Sequence, residues 1–274
     1  MILANIRRMN LFALVCELLA YTIVIFLAFM VGTLIIYSIK KPSNNRRWMV
    51  GEGKTASVQI NSDQVFIKNF RDADWANIDF ASLENDDALF RGFEFKLSDI
   101  QSLRAGVAHF KLLDELAHIF ILFELKDGTN FALSVEARKG EDESYSLSGG
   151  LSAKFELIYL LGSYRDIVGL RLKRNEEVYA YPIKATPEEI QSLFKVVATR
   201  TNEIDKIPEL YHLMFKNCTT EIVKLVNEIS DISFPRLVQS FMPGDAGQTL
   251  YKMDLIKHDS ESFKDIKTAS LIEK

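Results

Sequence analysis

The sequence predicts an α+β protein, with helices packed on an antiparallel sheet and one transmembrane helix in front of them. Three observations support this. Residues 11–39 are almost wholly apolar, with Glu17 as the single charge. The middle of the chain alternates apolar and polar residues as strands do, and two later segments begin with helix-start signals. About 230 residues follow the apolar run, enough for one domain with its own core.

The apolar run is predicted to be an uncleaved anchor. Residues 18–39 carry no charge and would form a helix of roughly 33 Å, enough to cross a bilayer core. A cleaved signal peptide has a shorter apolar core that ends at small residues. Cys16 does not fit a lipidation site, because Val15 precedes it where a small residue is required. We predict a short tail over residues 1–10 before the anchor.

The charges around the anchor leave its orientation open. Two arginines precede it, and four basic residues follow it in a linker over residues 40–55, namely Lys40, Lys41, Arg46 and Arg47. The positive-inside rule would place the large domain in the cytoplasm. Long soluble domains often translocate regardless of such counts. Charge alone therefore does not decide the side.

Composition excludes several functions. The net charge of −4 comes without a basic stripe, which argues against nucleic acid as a partner. Cys16 lies in the anchor and cannot readily pair with Cys218, so Cys218 is predicted to be a free thiol. No phosphate-binding loop or paired-cysteine motif is present, and His109, His212 and His258 are isolated in sequence. We therefore predict neither a metal nor a cofactor.

The strands are predicted from period-two alternation and turn residues. A first pair covers residues 56–69 and turns at Asn61-Ser62-Asp63. A hairpin joins residues 117–125 to 129–136 through Lys126-Asp127-Gly128, because Asp-Gly favours tight turns. Further strands are predicted over residues 155–161, 166–172 and 178–183.

Two helices close the predicted domain, which covers residues 56–251. The first begins at Thr186-Pro187-Glu188-Glu189, with a capping threonine and acidic residues near the positive end of the helix dipole. The second begins at Cys218, with Asn217 as its N-cap. Residues 252–274 are polar and are predicted to form a loosely held tail.

Cys218 is the candidate nucleophile. A cysteine at a helix start faces unpaired N–H groups and the positive end of the dipole, and both favour the thiolate. Its candidate base is His118, which opens the apolar run 119–123. The alternative is a buried structural cysteine with an unrelated histidine.

The order of elements resembles a known superfamily. A histidine on a strand, a meander, a helix and then a cysteine at a helix start resemble the circularly permuted NlpC/P60 branch of the papain-like enzymes. In that branch the strand after the histidine carries a residue that orients the imidazole, which implies Glu136 here. The alternative for Glu136 is a surface salt bridge, for example to Arg138.

An ordered set of motifs resembles the bacterial family that includes the Lnb-type lipoprotein N-acyltransferases. It extends over residues 46–251. Its members are Ala117-His118, Ser134-Val135-Glu136-Ala137-Arg138, residues 141–145, Phe155-Glu156-Leu157-Ile158-Tyr159, Arg165-Asp166, Val178-Tyr179, and residues 208–220 with Asn217-Cys218-Thr219-Thr220.

The resemblance implies a membrane-anchored cysteine acyltransferase. An acyl chain would move from the diacylglyceryl group of a bacterial lipoprotein to the α-amino group of its N-terminal cysteine, through a thioester on Cys218. The partners would be lipidated lipoproteins and membrane lipid, and a monomer is expected. The domain would face outward from the bacterial cytoplasmic (inner) membrane. Backbone groups at Asn217 and Thr219 would hold the oxyanion. Residues expected to contact substrate are Arg138, Tyr145, Arg165 and Arg171.

Two alternatives remain open at this stage. The same dyad would serve a membrane-anchored cysteine peptidase or amidase that acts on cell-wall peptide. A non-catalytic envelope protein would use neither residue. Aromatic and Met side chains beside the anchor or cleft would favour an acyl chain over a peptide, and the candidates are Trp48, Phe110, Phe120, Phe241 and Met242.

Overall fold

The computed structural model describes residues 2–78, 86–110, 113–235, 242–258 and 262–273. The strands of this part are β1 (Ser57–Asn61), β2 (Gln64–Arg71), β3 (Phe90–Lys96), β4 (Ile100–Phe110), β5 (Leu113–Leu125), β6 (Asn130–Arg138), β7 (Glu156–Ser163) and β8 (Glu177–Pro182). The helices are α1 (Ile2–Ile39), α2 (Leu147–Leu151), α3 (Tyr164–Lys173), α4 (Pro187–Lys206), α5 (Cys218–Asn227), α6 (Ala246–Lys252) and α7 (Phe263–Ser270).

The anchor is one continuous helix. α1 begins at Ile2, so residues 2–10 belong to this helix and do not form a separate tail before it. Within it, Ala13–Ile39 is long and apolar enough to cross a membrane, and most of its side chains are exposed. Exposed apolar side chains over that length are stable in lipid and would be costly in water.

The strands form one mostly antiparallel sheet, which confirms the α+β class. Among the described residues its order is β1-β2-β7-β6-β5-β4-β8, with β3 also paired to β2. One pairing is parallel and joins Arg71 of β2 to Gly162 of β7. The predicted turn between β1 and β2 is confirmed, and so is the hairpin between β5 and β6.

The prediction of a strand over residues 166–172 is wrong, because this segment forms α3. The Ser163 hydroxyl accepts a hydrogen bond from the Asp166 N–H and caps the helix. Asp166 lies in the first turn and Arg171 in the last, as the helix dipole favours. Burial of Ile167, Val168 and Arg171 follows helical spacing. The β-branched residues Ile167 and Val168 at its centre favour strands, which explains the incorrect prediction.

The C-terminal segment is packed against the domain and is not a loosely held tail. Ile256 and Ile266 are buried in one apolar cluster with Tyr179 and Tyr181 of β8. A backbone bridge joins Leu271 to Tyr179. These apolar residues are spaced widely among charged ones, so the sequence shows no periodic apolar pattern that would predict their burial.

Each face of the sheet carries its own core. α4 and α5 cover one face, where Ile121, Phe123, Leu133, Leu193 and Phe194 belong to one buried cluster. The opposite face is covered by α3, with a buried cluster that includes Phe120, Leu122, Ile158, Ile167 and Val168. Since neighbouring residues of a strand point to opposite faces, this alternation decides which side of the sheet each site residue reaches.

The basic linker after the anchor is fastened to the domain. Arg138 donates hydrogen bonds to the Glu52 and Gly53 carbonyls and to the Asn44 side chain, and lies 3.9 Å from the ring centroid of Trp48. Arg46 pairs with buried Glu156 at 2.9 Å. The linker therefore holds a defined path across the end of the sheet.

Candidate active site

The helix that carries Cys218 begins with a reciprocal cap. Asn217 Oδ1 accepts from the Thr220 N–H at 2.8 Å, and Thr220 Oγ1 accepts from the Asn217 N–H at 2.8 Å. This geometry leaves the N–H groups of Cys218 and Thr219 without an intrahelical acceptor. Asn217 also donates its side-chain amide to the Leu213 carbonyl at 2.5 Å. Both the N–H and the side chain of Asn217 are therefore engaged, so the expectation that Asn217 holds an oxyanion is not met, and the candidate donors are the N–H groups of Cys218 and Thr219.

The Cys218 thiol is buried against the sheet. Its sulfur lies 3.8 Å from the Thr219 hydroxyl and next to the backbone N–H of Ile119, the residue after His118. Burial raises the pKa of the thiol above its ordinary value, and the Ile119 N–H and Thr219 hydroxyl offset this only in part. Desolvation of the sulfur therefore opposes the preference for the thiolate that the helix start provides.

His118 belongs to a chain of polar groups on the α3 face. Its Nε2 atom is 2.7 Å from Ser134 Oγ and 3.5 Å from Glu136 Oε1. Ser134 donates its single hydroxyl proton to Glu136 at 2.8 Å, so it accepts from His118 Nε2–H. This arrangement assigns the tautomer and leaves the Nδ1 lone pair available.

The imidazole is neutral in the resting state. Burial, followed by the charge of Arg171, lowers the pKa of His118 to about 3, although Glu136 acts in the opposite direction. Burial also disfavours ionised Glu136, yet Arg171 holds the pKa of that carboxyl well below its usual range. The charged carboxylate of Glu136, the Ser134 hydroxyl and the neutral imidazole of His118 therefore form one hydrogen-bonded chain.

Cys218 and His118 lie near one another, but no hydrogen bond joins them among the described residues. Ladder pairing between β5 and β6 ends at Phe120 and Ser134, before His118 is reached. Alternation turns His118 toward α3, whereas Cys218 belongs to the core on the α5 side. The charges of Glu136 and Arg171 still act on the thiol, so Cys218 and the polar chain lie close together at the end of this ladder.

The proposed substrate-contacting residues separate into two groups. The Arg171 guanidinium is buried, donates to Glu136 and lies 3.7 Å from Glu176, so it supports the polar chain. Tyr145 is half exposed, stacks on Phe155 with 5.6 Å between ring centroids, and its hydroxyl meets Tyr211 beside Cys218.

Arg138 and Arg165 are not available to a substrate at this site. Arg138 is buried and its donors are used by the linker. Arg165 pairs with Asp72 at 2.8 Å, next to Ser163. Ser163 lies five residues along β7 from Ile158, the partner of Glu136, which is roughly 17 Å at the usual strand rise.

Ser134 and Tyr211 were not identified from the sequence. Ser134 stands two residues before Glu136 on one strand, so period two would have placed both on the same face. Tyr211 is buried in the loop before the cysteine helix, and burial followed by the nearby Cys218 raises its pKa well above the ordinary value. Only the tertiary fold brings Tyr211 to the thiol.

An apolar cavity of about 190 Å³ lies next to the site, between α4, α5, α6, β4 and β5. Of the side chains expected to mark an acyl site, Trp48, Phe110, Phe120 and Met242 do not line it. Phe120 is buried on the other face, Trp48 packs under Arg138, and Phe241 lies outside the described residues. The lining is mainly aliphatic instead. No cluster of metal-binding side chains occurs in the part of the chain that the structure describes.

Fold and site together define a membrane-associated α+β protein with a buried cysteine beside a histidine–serine–glutamate chain. The family model described as the Lnb N-terminal periplasmic domain matches residues 94–249, more than half of the chain, and includes Cys218, His118 and Glu136. The chain therefore belongs to the Lnb family and is an envelope protein. One N-terminal apolar helix and an extracytoplasmic domain fit a single-pass topology. Neither a curated protein nor a solved structure matches the chain significantly.

The buried neutral histidine predicts how stability depends on pH. An unfolded histidine protonates near pH 6.5, whereas folded His118 stays neutral down to about pH 3. The unfolded state therefore binds more protons between these values, and stability falls as pH decreases through that window. From pH 7 to pH 5 we expect His118 to account for a loss of about 2 kcal/mol in the free energy of unfolding.

Urea unfolding of the full chain in a mild detergent at pH 7.0, 6.0 and 5.0 measures this effect. The wild type should lose stability more steeply than His118→Gln, whose own destabilisation is the same at each pH. If the free energy of unfolding depended on pH equally in the two proteins, His118 would not be a buried neutral imidazole.

Proposed function

We propose that this protein transfers an acyl chain from the diacylglyceryl group of a bacterial lipoprotein to the α-amino group of that lipoprotein's N-terminal cysteine. Cys218 carries the chain as a thioester between the two steps. The protein is placed in the bacterial cytoplasmic membrane with its domain on the outer face, where lipidated lipoproteins are anchored.

The observation that carries this proposal is the contact between the anchor and the loop before Cys218. Tyr37, near the end of α1, meets the His212 ring edge-on with 6.0 Å between centroids. Lys40 donates to the Ala153 carbonyl at 2.8 Å. His212 lies six residues before the candidate nucleophile. The site is thus held beside the membrane end of the anchor, where the ester of a lipidated substrate lies.

The first step uses the polar chain on the α3 face. The Cys218 thiol loses its proton to His118 Nδ1 as sulfur attacks the ester carbonyl. Approach of the imidazole is required, and such contacts often tighten only when substrate binds. The free N–H groups of Cys218 and Thr219 hold the oxyanion, worth roughly 3 kcal/mol for each well-placed donor. The carbon–oxygen bond breaks, and the glyceryl oxygen takes the proton from His118.

The second step returns the enzyme to its first state. The α-amino group of the lipoprotein attacks the thioester carbonyl, and the carbon–sulfur bond breaks as the amide bond forms. His118 accepts the proton that the amine loses and returns it to the Cys218 sulfur. A raised thiol pKa suits this cycle, because the sulfur is protonated whenever it carries no acyl group.

Tandem mass spectrometry of a lipoprotein's N-terminal peptide tests the proposal. Transfer within one lipoprotein leaves the total mass unchanged, so fragment ions must show whether the acyl chain is on the amine or on the glyceryl group. Cells with the protein should yield N-acylated peptide, and cells without it should yield a free amine. A free amine in both would refute the proposal. Altered cell-wall peptides in its place would favour the peptidase.

A further inference from the structure

The cavity beside Cys218 is lined mainly by aliphatic side chains of β4, β5, α4, α5 and α6. Its lining includes Ile121 from β5, Leu193 from α4, and Ile222 and Val226 from α5. Exposed polar side chains such as Arg104 and Lys184 belong to the same lining, and their exposure places them at the rim. A cavity with such walls favours an apolar ligand, because few buried polar groups are present to hold a hydrated one.

The cavity lies next to the thiol. Two residues that line it, Ile119 and Thr219, are the same two that contact the Cys218 sulfur. An acyl group bound to this sulfur would place its carbonyl oxygen at the free N–H groups of α5. The first methylene groups would then pass between Ile119 and Thr219 into the cavity.

One wall of the cavity follows the helix away from the sulfur. Thr219, Ile222, Val223 and Val226 line it at the spacing that puts residues on one helix face. From Thr219 to Val226 this wall extends roughly 10 Å at the helical rise. Ile222 and Val226 are only half-buried, although both are aliphatic and belong to a helix packed on the core. Their free surface faces a space that no described side chain fills.

Ile229, three residues beyond Val226, also lines the cavity. We propose that this cavity holds the acyl chain of the Cys218 thioester and that Val226 and Ile229 limit the chain length it accepts. The inference rests on the proposed function, whose acyl intermediate it places. Each methylene buried in the cavity should improve binding about fourfold, until the cavity is full. Preference for an acyl chain then depends on cavity length rather than on any headgroup contact.

Saturated p-nitrophenyl esters with acyl chains of increasing length provide the test, because they need no lipoprotein. The full chain in lipid nanodiscs is treated with each ester, and acylation of Cys218 is followed by intact-protein mass spectrometry. For the wild type we expect the acylation rate at low ester concentration to rise about 15-fold with each two-carbon extension and then level off. Val226→Phe and Ile229→Phe should level off at shorter chains.

Asn227→Phe is the matched control. Asn227 is exposed on the same helix and is not part of the cavity lining, so its variant should follow the wild type. Thermal unfolding verifies that each variant is folded. Identical chain-length profiles in the wild type and in a folded Val226→Phe or Ile229→Phe protein would overturn the proposal.

A photoreactive fatty acid with a diazirine at mid-chain separates failure of the cavity from failure of the proposed function. Cross-links should map to the α5 peptide in the wild type and in Asn227→Phe, and should be lost in Val226→Phe. Cross-linking without any N-acylation of lipoproteins would leave the cavity assigned and the proposed reaction wrong. N-acylation without cross-linking in α5 would refute the cavity alone.

Discussion

Cys218→Ala is expected to abolish N-acylation of lipoproteins, with a loss of at least about 10³-fold in rate, because the covalent mechanism carries the acyl chain on the Cys218 sulfur. Cys218→Ser should be nearly as inactive, since a buried hydroxyl is a weaker nucleophile. Alanine is smaller than cysteine, and Asn217 and Thr220 cap the helix without the sulfur. Expression and membrane insertion should therefore be unchanged.

The measurement is the rate of N-acylation by purified protein in nanodiscs with a diacylated lipopeptide. His118→Gln removes the base and should cost on the order of 10²–10⁴-fold. Ser134→Ala and Glu136→Gln should cost less, about 10–100-fold, because these residues only orient the imidazole. Full activity in Cys218→Ala would disprove the covalent mechanism.

Asp166→Ala is expected to destabilise the folded domain by about 3–5 kcal/mol, because it removes the carboxylate that pairs with the buried Arg71 charge. Asp166 is fully buried, and its two oxygens accept hydrogen bonds from Arg71, the Ala73 N–H and the Trp75 indole at 2.8–3.0 Å. This cluster fastens α3 to the end of β2. The free energy of unfolding, measured in urea for the full chain in detergent, reports the loss.

Arg165→Ala is the neighbouring control. The Arg165 side chain is 60% exposed and pairs with Asp72 at the surface, so its removal should cost less than about 1 kcal/mol. A similar loss of stability in both variants would show that the buried pair contributes no more to the stability of the domain than the exposed one. An unchanged stability of Asp166→Ala would contradict the role given to that pair.

Local sequence signals predicted the elements whose stability is local. The Asp127-Gly128 turn placed the β5–β6 hairpin, and Asn217 placed the start of α5, because turn and cap residues act on their immediate neighbours. α3 was misread because Ile167 and Val168 favour strands, while its cap at Ser163 and its packing below the sheet outweigh that preference. β4 was not predicted, because polar residues and Gly106 interrupt its apolar pattern.

For the site, the sequence indicated residue types but not their surroundings. A cysteine at a helix start suggested a thiolate, yet its pKa depends on burial that only packing reveals. Arg138 was expected at the substrate, but it anchors the linker through residues more than eighty positions earlier. Ser134 was the one missed residue that strand periodicity alone could have indicated, through its place beside Glu136.

The ordered linker has a consequence for how the domain works at the membrane. Tyr37 meets His212, Arg138 holds Asn44, and Arg46 pairs with Glu156, so the residues that leave the bilayer are bound at several points. A flexible tether of the same length would let the domain sample many heights and tilts. These contacts fix the position of Cys218 relative to the membrane end of α1. Under the proposed function, the reactive bond of a substrate would have to reach that position to meet the thiol.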